Sequence, residues 1–332
     1  MKIAIVASIY PPEIGGPAQY AKNLKEALER AGHSVVLVRY GFLKRFPSGI
    51  RHVLFAIKLL IKSYGTDAMI AFDTYSGGLP AVIVSVLTGR FFLIRIGGDF
   101  VWEMYIERTR DLVPLPDIYR RRDKWNWKER LSFSVSWWVL RRASVVFSSA
   151  WLLGIWKDVY KIDPSRVYVI ENAIGGKIQP IAPARRNFIF YTRQIALKNA
   201  AAFKRAFAKA KIAHPEIELD EGMVPHDELE RRMRECYAVV LPSISEVTPN
   251  YIIDAIRCGK PFLLTKYSGY AERFKNYGVI VDPLDEEEMA RGIIELATPE
   301  IYRRLQSRIS TFKESHTYDD IAREFVEIAE KN

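Results

Sequence analysis

The chain of 332 residues is predicted to form two doubly wound α/β domains in tandem. Two observations favour this class. Short runs that are apolar throughout, typical of strands buried on both faces of a parallel sheet, alternate with segments of helical periodicity. The length also exceeds what one hydrophobic core usually supports, since single cores seldom grow beyond about 250–300 residues. Composition is ordinary for a globular protein, with 49% hydrophobic and 27% charged residues.

The first domain is predicted over residues 1–172. Its strands are expected at 3–7, 34–38, 68–72, 91–96, 144–148 and 167–170, and its helices at 18–31, 50–62 and 79–87. On the first helix Leu24 and Leu28 share one face, and Gly32 is a typical helix stop. Residues 79–94 contain Arg90, so they are predicted to form a buried helix and a strand rather than a membrane span. The stretch 102–142 interrupts the rhythm with charged and aromatic residues.

The second domain is predicted over residues 173–315, after a hinge at 171–176 and a proline-containing linker at 178–183. Its strands are expected at 187–192, 217–219, 238–241 and 262–265, and its helices at 200–211, 227–236 and 249–258. A last helix at about 316–332 could pack on either domain. Ligands of such parallel sheets bind beyond the carboxyl ends of the strands, so a cleft between the domains is the expected site.

Charge is distributed unevenly along the chain. Residues 1–172 hold 25 Lys and Arg against 15 Asp and Glu, whereas residues 173–332 hold 24 of each kind. This asymmetry predicts an anionic partner for the amino-terminal half. Cys236 and Cys258 are too few for a disulfide framework or a zinc site. Reduced thiols and the lack of a secretory leader favour the cytoplasm.

Residues 241–249 join a strand to a helix and carry the clearest chemical signal. Thr248 is predicted as the N-cap and Pro249 as the first helical residue. The amides from Val247 to Tyr251, including that of Asn250, would then be exposed and form an anion site. Glu246 lies just outside this end, and Asp254 lies six residues in from Thr248, about 9 Å along the helix axis. A ligand with a polyol, a diphosphate and a ribose would fit this layout. Both acids could equally be ordinary surface residues.

Two basic residues follow the strand predicted at 187–192. Arg193 comes directly after it, and Lys198 opens the next helix. A guanidinium binds phosphate bidentately, and an ammonium supplies a mobile point charge. Isolated basic residues are usually solvated. These two follow the carboxyl end of a strand, on the same rim as Glu246, which makes them candidates for phosphate binding.

Five motifs together resemble the glycosyltransferases of family 4, also called group 1. They are Ile9-Tyr-Pro-Pro-Glu-Ile-Gly15-Gly16, Val-Ile-Glu-Asn172-Ala-Ile, Tyr-Thr-Arg193 with Lys198-Asn, Glu221-Gly222-Met223-Val224, and Pro242-Ser243 with Glu246-x7-Asp254 and Gly259-Lys-Pro261. The similarity follows nearly the whole chain in the same order. It implies the GT-B fold, in which two Rossmann-like domains face each other across a cleft. It also implies a UDP- or GDP-linked sugar donor, no cofactor, no metal ion, and retention at the anomeric carbon.

The resemblance also implies roles for individual residues. Arg193 and Lys198 would bind the diphosphate, Glu246 the sugar hydroxyls and Asp254 the ribose, with the last helix packed back on the first domain. The other donor-binding positions implied are Gly15, Gly16, Asn172, Met223, Val224, Val247, Thr248, Pro249 and Asn250. The catalytic set is Glu246, Arg193, Lys198 and Asp99.

This sequence departs from the family pattern at three points, which affects the roles that can be transferred to its residues. Asp254 is one methylene shorter than the usual Glu. Where the family usually has a histidine, this sequence has Arg95-Ile-Gly-Gly-Asp99, so Asp99 is taken as the substitute for that histidine. The segment between Lys198 and Gly222 is shorter than in the family, so the family's preference for a particular nucleotide base is not transferred to this chain. No Asp-x-Asp motif occurs in the chain, which fits a reaction without a metal.

The acceptor is expected to meet the basic half of the chain. Residues 120–142 mix arginines with Trp125, Trp127, Trp137 and Trp138, a combination suited to membrane interfaces and lipid phosphates. The hypothesis is a peripheral enzyme at the cytoplasmic membrane face with a lipid-linked or glycan acceptor. A solvated basic helix with core tryptophans is the alternative.

Two other functions stay open at this point. A nucleotide-sugar 2-epimerase would have the same fold and need no acceptor. A nucleic-acid-binding protein would use the basic face, although the sequence lacks any known nucleic-acid module. The absence of a GxGxxG loop after the first strand argues against a dehydrogenase.

Overall fold

The computed structural model describes residues 1–13 and 15–331, except for the side chains of residues 226 and 227. It divides the chain into two units. The first unit contains Met1–Val101, Lys124–Ala173 and His316–Asn332, and the second contains Trp102–Asp123 and Ile174–Ser315. The segment Trp102–Asp123, which interrupts the α/β rhythm of the sequence, is therefore grouped with the second unit.

The elements before residue 173 follow the predicted alternation. In order they are β1 (Lys2–Ala7), α1 (Gly16–Arg30), β2 (Ser34–Arg39), α2 (Ser48–Lys62), β3 (Ala68–Ala71), α3 (Gly78–Thr88), β4 (Phe91–Ile96), α4 (Phe100–Thr109), α5 (Trp127–Leu140), β5 (Ser144–Phe147), α6 (Ala150–Tyr160) and β6 (Val167–Val169). Short 3-10 turns occur at Gly41–Arg45, Leu115–Lys124 and Pro164–Arg166.

A second series follows the predicted hinge. It comprises β7 (Arg186–Tyr191), α7 (Ala200–Ala213), β8 (Ile217–Gly222), α8 (His226–Glu235), β9 (Ala238–Leu241), α9 (Asn250–Arg257), β10 (Phe262–Thr265), α10 (Ala271–Phe274), β11 (Val279–Val281), α11 (Glu286–Ala297), α12 (Pro299–Ser310) and α13 (Tyr318–Glu330). A 3-10 turn at Ala196–Lys198 precedes α7.

Each unit is built on one parallel sheet. The first sheet has the order β2-β1-β3-β4-β5-β6, and the second has the order β11-β10-β9-β7-β8. Strands β3, β5, β9 and β10 are buried at every residue, because helices cover both faces of a doubly wound sheet. The predicted α/β class is confirmed.

The carboxyl-terminal helix belongs to the first unit. Thr317 and Asp320 form a capping box at its start, and α13 packs against α1. Phe325 of α13 shares a buried core with Leu24 of α1 and Ile5 of β1. None of the helices in the described part of the chain combines the length and the hydrophobicity that a membrane-spanning segment needs.

Candidate functional site

Three loops of the second unit are tied together at the carboxyl ends of β7, β9 and β11. Asn199 is buried in the left-handed conformation, with φ of 58°, and its side-chain amide donates to the carbonyl of Pro283 at 2.7 Å. The amide of Ile244 donates to the carbonyl of Leu197 at 2.9 Å. Because these bonds cross between loops, they fix the residues on either side of them.

The convergence brings Lys198 and Glu246 into direct contact. Their ammonium and carboxylate form an ion pair, with side chains that are 19% and 15% exposed. The backbone of Glu246 is held by the loop after β10, since its amide donates to Tyr267 and its carbonyl accepts from Gly269, both at 3.0 Å. Two of the predicted rim residues thus form a half-buried pair on a hydrogen-bonded backbone.

The segment Trp102–Asp123 contacts the same loops. The carboxylate of Glu107 accepts a hydrogen bond from the amide of Ala196 at 2.9 Å. The amide of Leu115 donates to the hydroxyl of Ser245 at 3.0 Å, and Ser245 is buried. Sequence reasoning missed both contacts, because they join residues 89 and 130 positions apart and neither pair carries a local motif.

The start of α9 differs from the prediction by one residue. Pro249, with φ of −83° and ψ of 71°, is the N-cap, and the helix begins at Asn250. These angles form an inverse γ-turn, in which the amide of Asn250 donates to the carbonyl of Thr248 at 3.0 Å. The prediction of Thr248 as N-cap was therefore wrong. The predicted row of amides from Val247 to Tyr251 is reduced, since Pro249 has no N–H and that of Asn250 is bonded within the turn.

Asp254 lies in the second half of α9. Its carboxylate accepts a hydrogen bond from Arg257 at 2.8 Å. Both line a cavity of about 330 Å³ whose walls are Ile178, Leu229, Glu230, Met233, Asp254, Arg257 and Cys258. Lys198 and Glu246 are not among these lining residues. Burial raises the pKa of the Cys258 thiol to about 11.

The remaining predicted residues of the second unit follow β7 and β8. Arg193 is exposed directly beyond β7, and Met223 is exposed beyond β8. Val224 is half-buried against the core. Beside them, Arg232 donates to the Tyr191 hydroxyl at 2.8 Å, in a cluster that the sequence analysis missed.

That hydroxyl in turn donates to the carboxylate of Asp220. Burial, and next its hydrogen bond with Asp220, raise the pKa of Tyr191 to about 12. The cluster therefore joins the ends of β7 and β8 without a charge on the tyrosine at neutral pH.

Asp99 and Asn172 lie in the first unit. The carboxylate of Asp99 is 1% exposed and accepts a hydrogen bond from the indole N–H of Trp156 at 2.9 Å. The side-chain oxygen of Asn172 accepts from Arg95, whose guanidinium stacks 3.7 Å above the ring of Tyr20. Asn172 is thus held by a buried cation immediately before the chain leaves the first unit.

The predicted glycines precede and open α1. A Cβ at Gly15 would lie 3.0 Å from the side chain of Ile9, whereas a Cβ at Gly16 would have no neighbour within 4 Å. Ile14, part of the same motif, lies outside the described residues. Among the described residues, no three His, Cys, Asp or Glu side chains are grouped so that they could hold a metal ion.

Comparisons with known proteins agree with this arrangement of loops and strands. Residues 222–311 match the family model described as Glycosyl transferases group 1. This span contains Glu246, Asp254 and the loops after β9 and β10. No curated protein matches the sequence at a significant level.

Several solved structures share the fold over nearly the whole chain. Sucrose-phosphate synthase from Thermosynechococcus elongatus superposes with a TM-score of 0.74 at 15% identity, covering 99% of this chain and 98% of that one. HepE from Anabaena, solved in complex with UDP, gives 0.68 at 15% identity with complete coverage of both chains. WaaG, a glycosyltransferase involved in lipopolysaccharide biosynthesis, gives 0.69 at 11% identity, covering 97% and 98%. The chain shares the GT-B fold of these structures, and its residues 222–311 match the model of the group 1 glycosyl transferases.

Proposed function

We propose that this protein moves a hexose from a nucleotide-diphosphate-sugar to an acceptor, with retention at the anomeric carbon and without a metal ion. The observation that supports the proposal most directly is the ion pair of Lys198 and Glu246 on hydrogen-bonded loops of the second unit. Such a pair offers a cation and an anion side by side. A sugar attached to a diphosphate requires both.

The chemistry assigned to the pair is electrostatic. As the sugar leaves, negative charge grows on the nucleotide diphosphate, and Lys198 with the exposed Arg193 would stabilise it. Glu246 would accept hydrogen bonds from the sugar hydroxyls. Without donor, Lys198 and Glu246 neutralise each other, so donor binding would exchange their mutual contact for contacts to phosphate and sugar.

For the rest of the donor, the proposal assigns Asp254 to the ribose and Met223, Val224, Val247, Thr248, Pro249 and Asn250 to the nucleotide. The cavity beside Asp254 supports a ligand contact there, because it is lined by both apolar and charged side chains. HepE was solved with UDP, so UDP is the first nucleotide to test. In the first unit, Gly15, Gly16 and Asn172 are assigned to the donor and Asp99 to catalysis.

The acceptor is proposed to be a lipid-linked molecule or a glycan, for a cell-surface polysaccharide or glycolipid made at the cytoplasmic membrane face. WaaG, which shares the fold, is involved in lipopolysaccharide biosynthesis. The positive excess of residues 1–172 supports an anionic partner for this part of the chain.

The decisive test is Glu246→Ala. We expect transfer to fall at least about 1,000-fold, because the contacts to the sugar are lost where they matter for the transition state. UDP binding, measured by thermal shift, should be retained, since Lys198 then has no competing carboxylate. Glu286→Ala is the matched control, because Glu286 pairs with Arg205 on the surface of the same unit.

Near-normal turnover by Glu246→Ala would show that the donor site is assigned wrongly. Product analysis separates the epimerase alternative, which would convert the donor into a free isomer without transfer to any acceptor. The anomeric configuration of the product, determined by NMR, tests retention. Activity that disappears with a chelator and returns with a divalent ion would contradict the proposal of a metal-free reaction.

A further inference from the structure

Helix α2 has apolar residues on two opposite faces. One face, with His52, Phe55 and Leu59, is buried in the first unit. The other carries Ile50, Val53, Ile57 and Ile61, which are 54%, 61%, 50% and 68% exposed. Because these four are spaced three or four residues apart, they form a single stripe on the solvent side of the helix.

Elements that pack beside α2 also expose apolar side chains. Helix α3 packs on α2, and α5 packs on α3. The other exposed apolar side chains of these elements are Phe42, Phe46, Leu60 and Tyr64 around α2, Ile83, Val86 and Leu87 on α3, and Trp127, Leu131 and Trp137 on α5. Single exposed apolar residues are common on proteins, but a set on three packed helices marks an interaction surface. We call this set, with the α2 stripe, the apolar face.

Most charged residues on the elements of the apolar face are basic, and one of them, Lys44, pairs with Glu13. Residues 41–66 contain no Asp or Glu, and their basic residues are Lys44, Arg45, Arg51, Lys58 and Lys62. Helix α3 has no charged residue. The one acid of α5, Glu129, is buried and bonded to the amide of Asn126 at the start of the helix. Arg141, just beyond α5, stacks over the ring of Trp137 at 4.6 Å.

We propose that the apolar face docks on an anionic membrane surface, with α2 lying in the headgroup region. An exposed apolar stripe flanked by Lys and Arg fits an interface where hydrocarbon meets negative headgroups. A second copy of the chain is a poorer partner, because a two-fold contact through this face would bring its basic residues against the same residues of the partner. The inference specifies the surface used in the membrane part of the proposed function and depends on that part alone.

This surface differs from the stretch 120–142 predicted from the sequence. Within that stretch Trp125 is buried, and Arg120–Asp123 are grouped with the second unit. Of that stretch, only Trp127, Leu131 and Trp137 of α5 belong to the apolar face, with Arg141 stacked over Trp137 beside it. The main contributor is α2, which the sequence predicted only as a helix of the first domain.

Flotation with vesicles tests the proposal. The full chain is mixed at low salt with vesicles of equal parts phosphatidylglycerol and phosphatidylcholine, or of phosphatidylcholine alone. We expect flotation with the anionic vesicles only. The double variants Ile57→Ser/Ile61→Ser and Arg45→Glu/Lys62→Glu should each lower the bound fraction at least tenfold. Ile212→Ser is the matched control, because Ile212 is an 83% exposed apolar residue of α7 in the second unit, and it should bind like the unmodified chain.

Circular dichroism and thermal unfolding establish that each variant is folded. The proposal is overturned if the unmodified chain does not float with anionic vesicles, or if both double variants float as well as Ile212→Ser. It is also overturned if the unmodified chain is a dimer that the variants convert to monomers, since a second copy would then cover the face. UDP binding by thermal shift separates this inference from the proposed chemistry: Glu246→Ala should still float, and the α2 variants should still bind UDP.

Discussion

The two units differ in how their functional surfaces are built. In the second unit, loops at the carboxyl ends of the strands are bonded to one another, and the side chains of Lys198 and Glu246 face each other within that framework. In the first unit, the outer helices expose aliphatic and aromatic side chains with basic residues around them. A hydrogen-bonded framework fixes charges for a small ligand with defined geometry. An open apolar and basic surface suits a large partner without defined geometry.

The difference in net charge between the two parts of the chain is smaller when the charges are counted by structural unit. Counted along the sequence, the whole excess of +10 falls in residues 1–172. Counted by unit, the first carries 22 basic and 15 acidic residues and the second 27 and 24, so the net charges are +7 and +3. The change arises because residues 316–332, with two basic and five acidic residues, are grouped with the first unit, whereas Trp102–Asp123, with five of each kind, leaves both net charges unchanged.

The largest effect we expect comes from the bonded framework of the second unit. Lys198→Ala should lower transfer about 1,000-fold, because the growing charge of the leaving diphosphate loses its partner in a half-buried setting. Lys198→Arg should recover part of the loss. Lys211→Ala, at an exposed position of the same unit, is the control. Steady-state kinetics with saturating acceptor measures the change, and a loss below about tenfold would contradict the assigned role.

The interior of the second unit is expected to be chemically inert. Burial raises the pKa of the Cys236 thiol to about 12 and that of Cys258 to about 11, so almost no thiolate exists at pH 8. A thiol reagent should react at least about 100-fold faster after unfolding than with the native protein. Rapid native labelling of Cys258 would show that the cavity beside Asp254 opens readily.

Asn199 tests how much the loop framework contributes to stability. Asn199→Ala removes the hydrogen bond to Pro283 and places alanine in a left-handed conformation, so the free energy of unfolding should fall by about 2–3 kcal/mol. Asn199→Gly removes the bond but tolerates the conformation, so its loss should be about 1 kcal/mol smaller. Urea unfolding measures both. Equal effects of the two substitutions would mean that backbone conformation plays no part.

The smallest effect is expected in the first unit. Asp99→Asn should lower transfer about tenfold if this carboxylate substitutes for the histidine of related enzymes. Trp156→Phe is the control, because it removes the N–H that Asp99 accepts and leaves the carboxylate in place. Should both variants lose the same activity and the same stability, Asp99 would be a structural partner of Trp156 only.

Local patterns in the sequence predicted much of the second unit. Strands β9 and β10 were predicted at their observed limits, since short apolar runs between turn residues have few alternatives in a parallel sheet. The rim position of Lys198 and Glu246 followed from the same reasoning. The start of α9 did not, because the angles of Pro249 depend on the γ-turn that Thr248 and Asn250 close around it.

Alone, the sequence determined the α/β class, the approximate positions of most strands and the candidate donor residues, because burial on both faces and the alternation of strands with helices leave a direct pattern in the chain. Only the tertiary structure decided that Trp102–Asp123 joins the second unit, through bonds such as that of Glu107 to Ala196. It also decided which apolar face of α2 is left uncovered. A helix that is apolar on both sides gives the same periodicity whichever side is buried, so only its packing partners distinguish a core stripe from an exposed one.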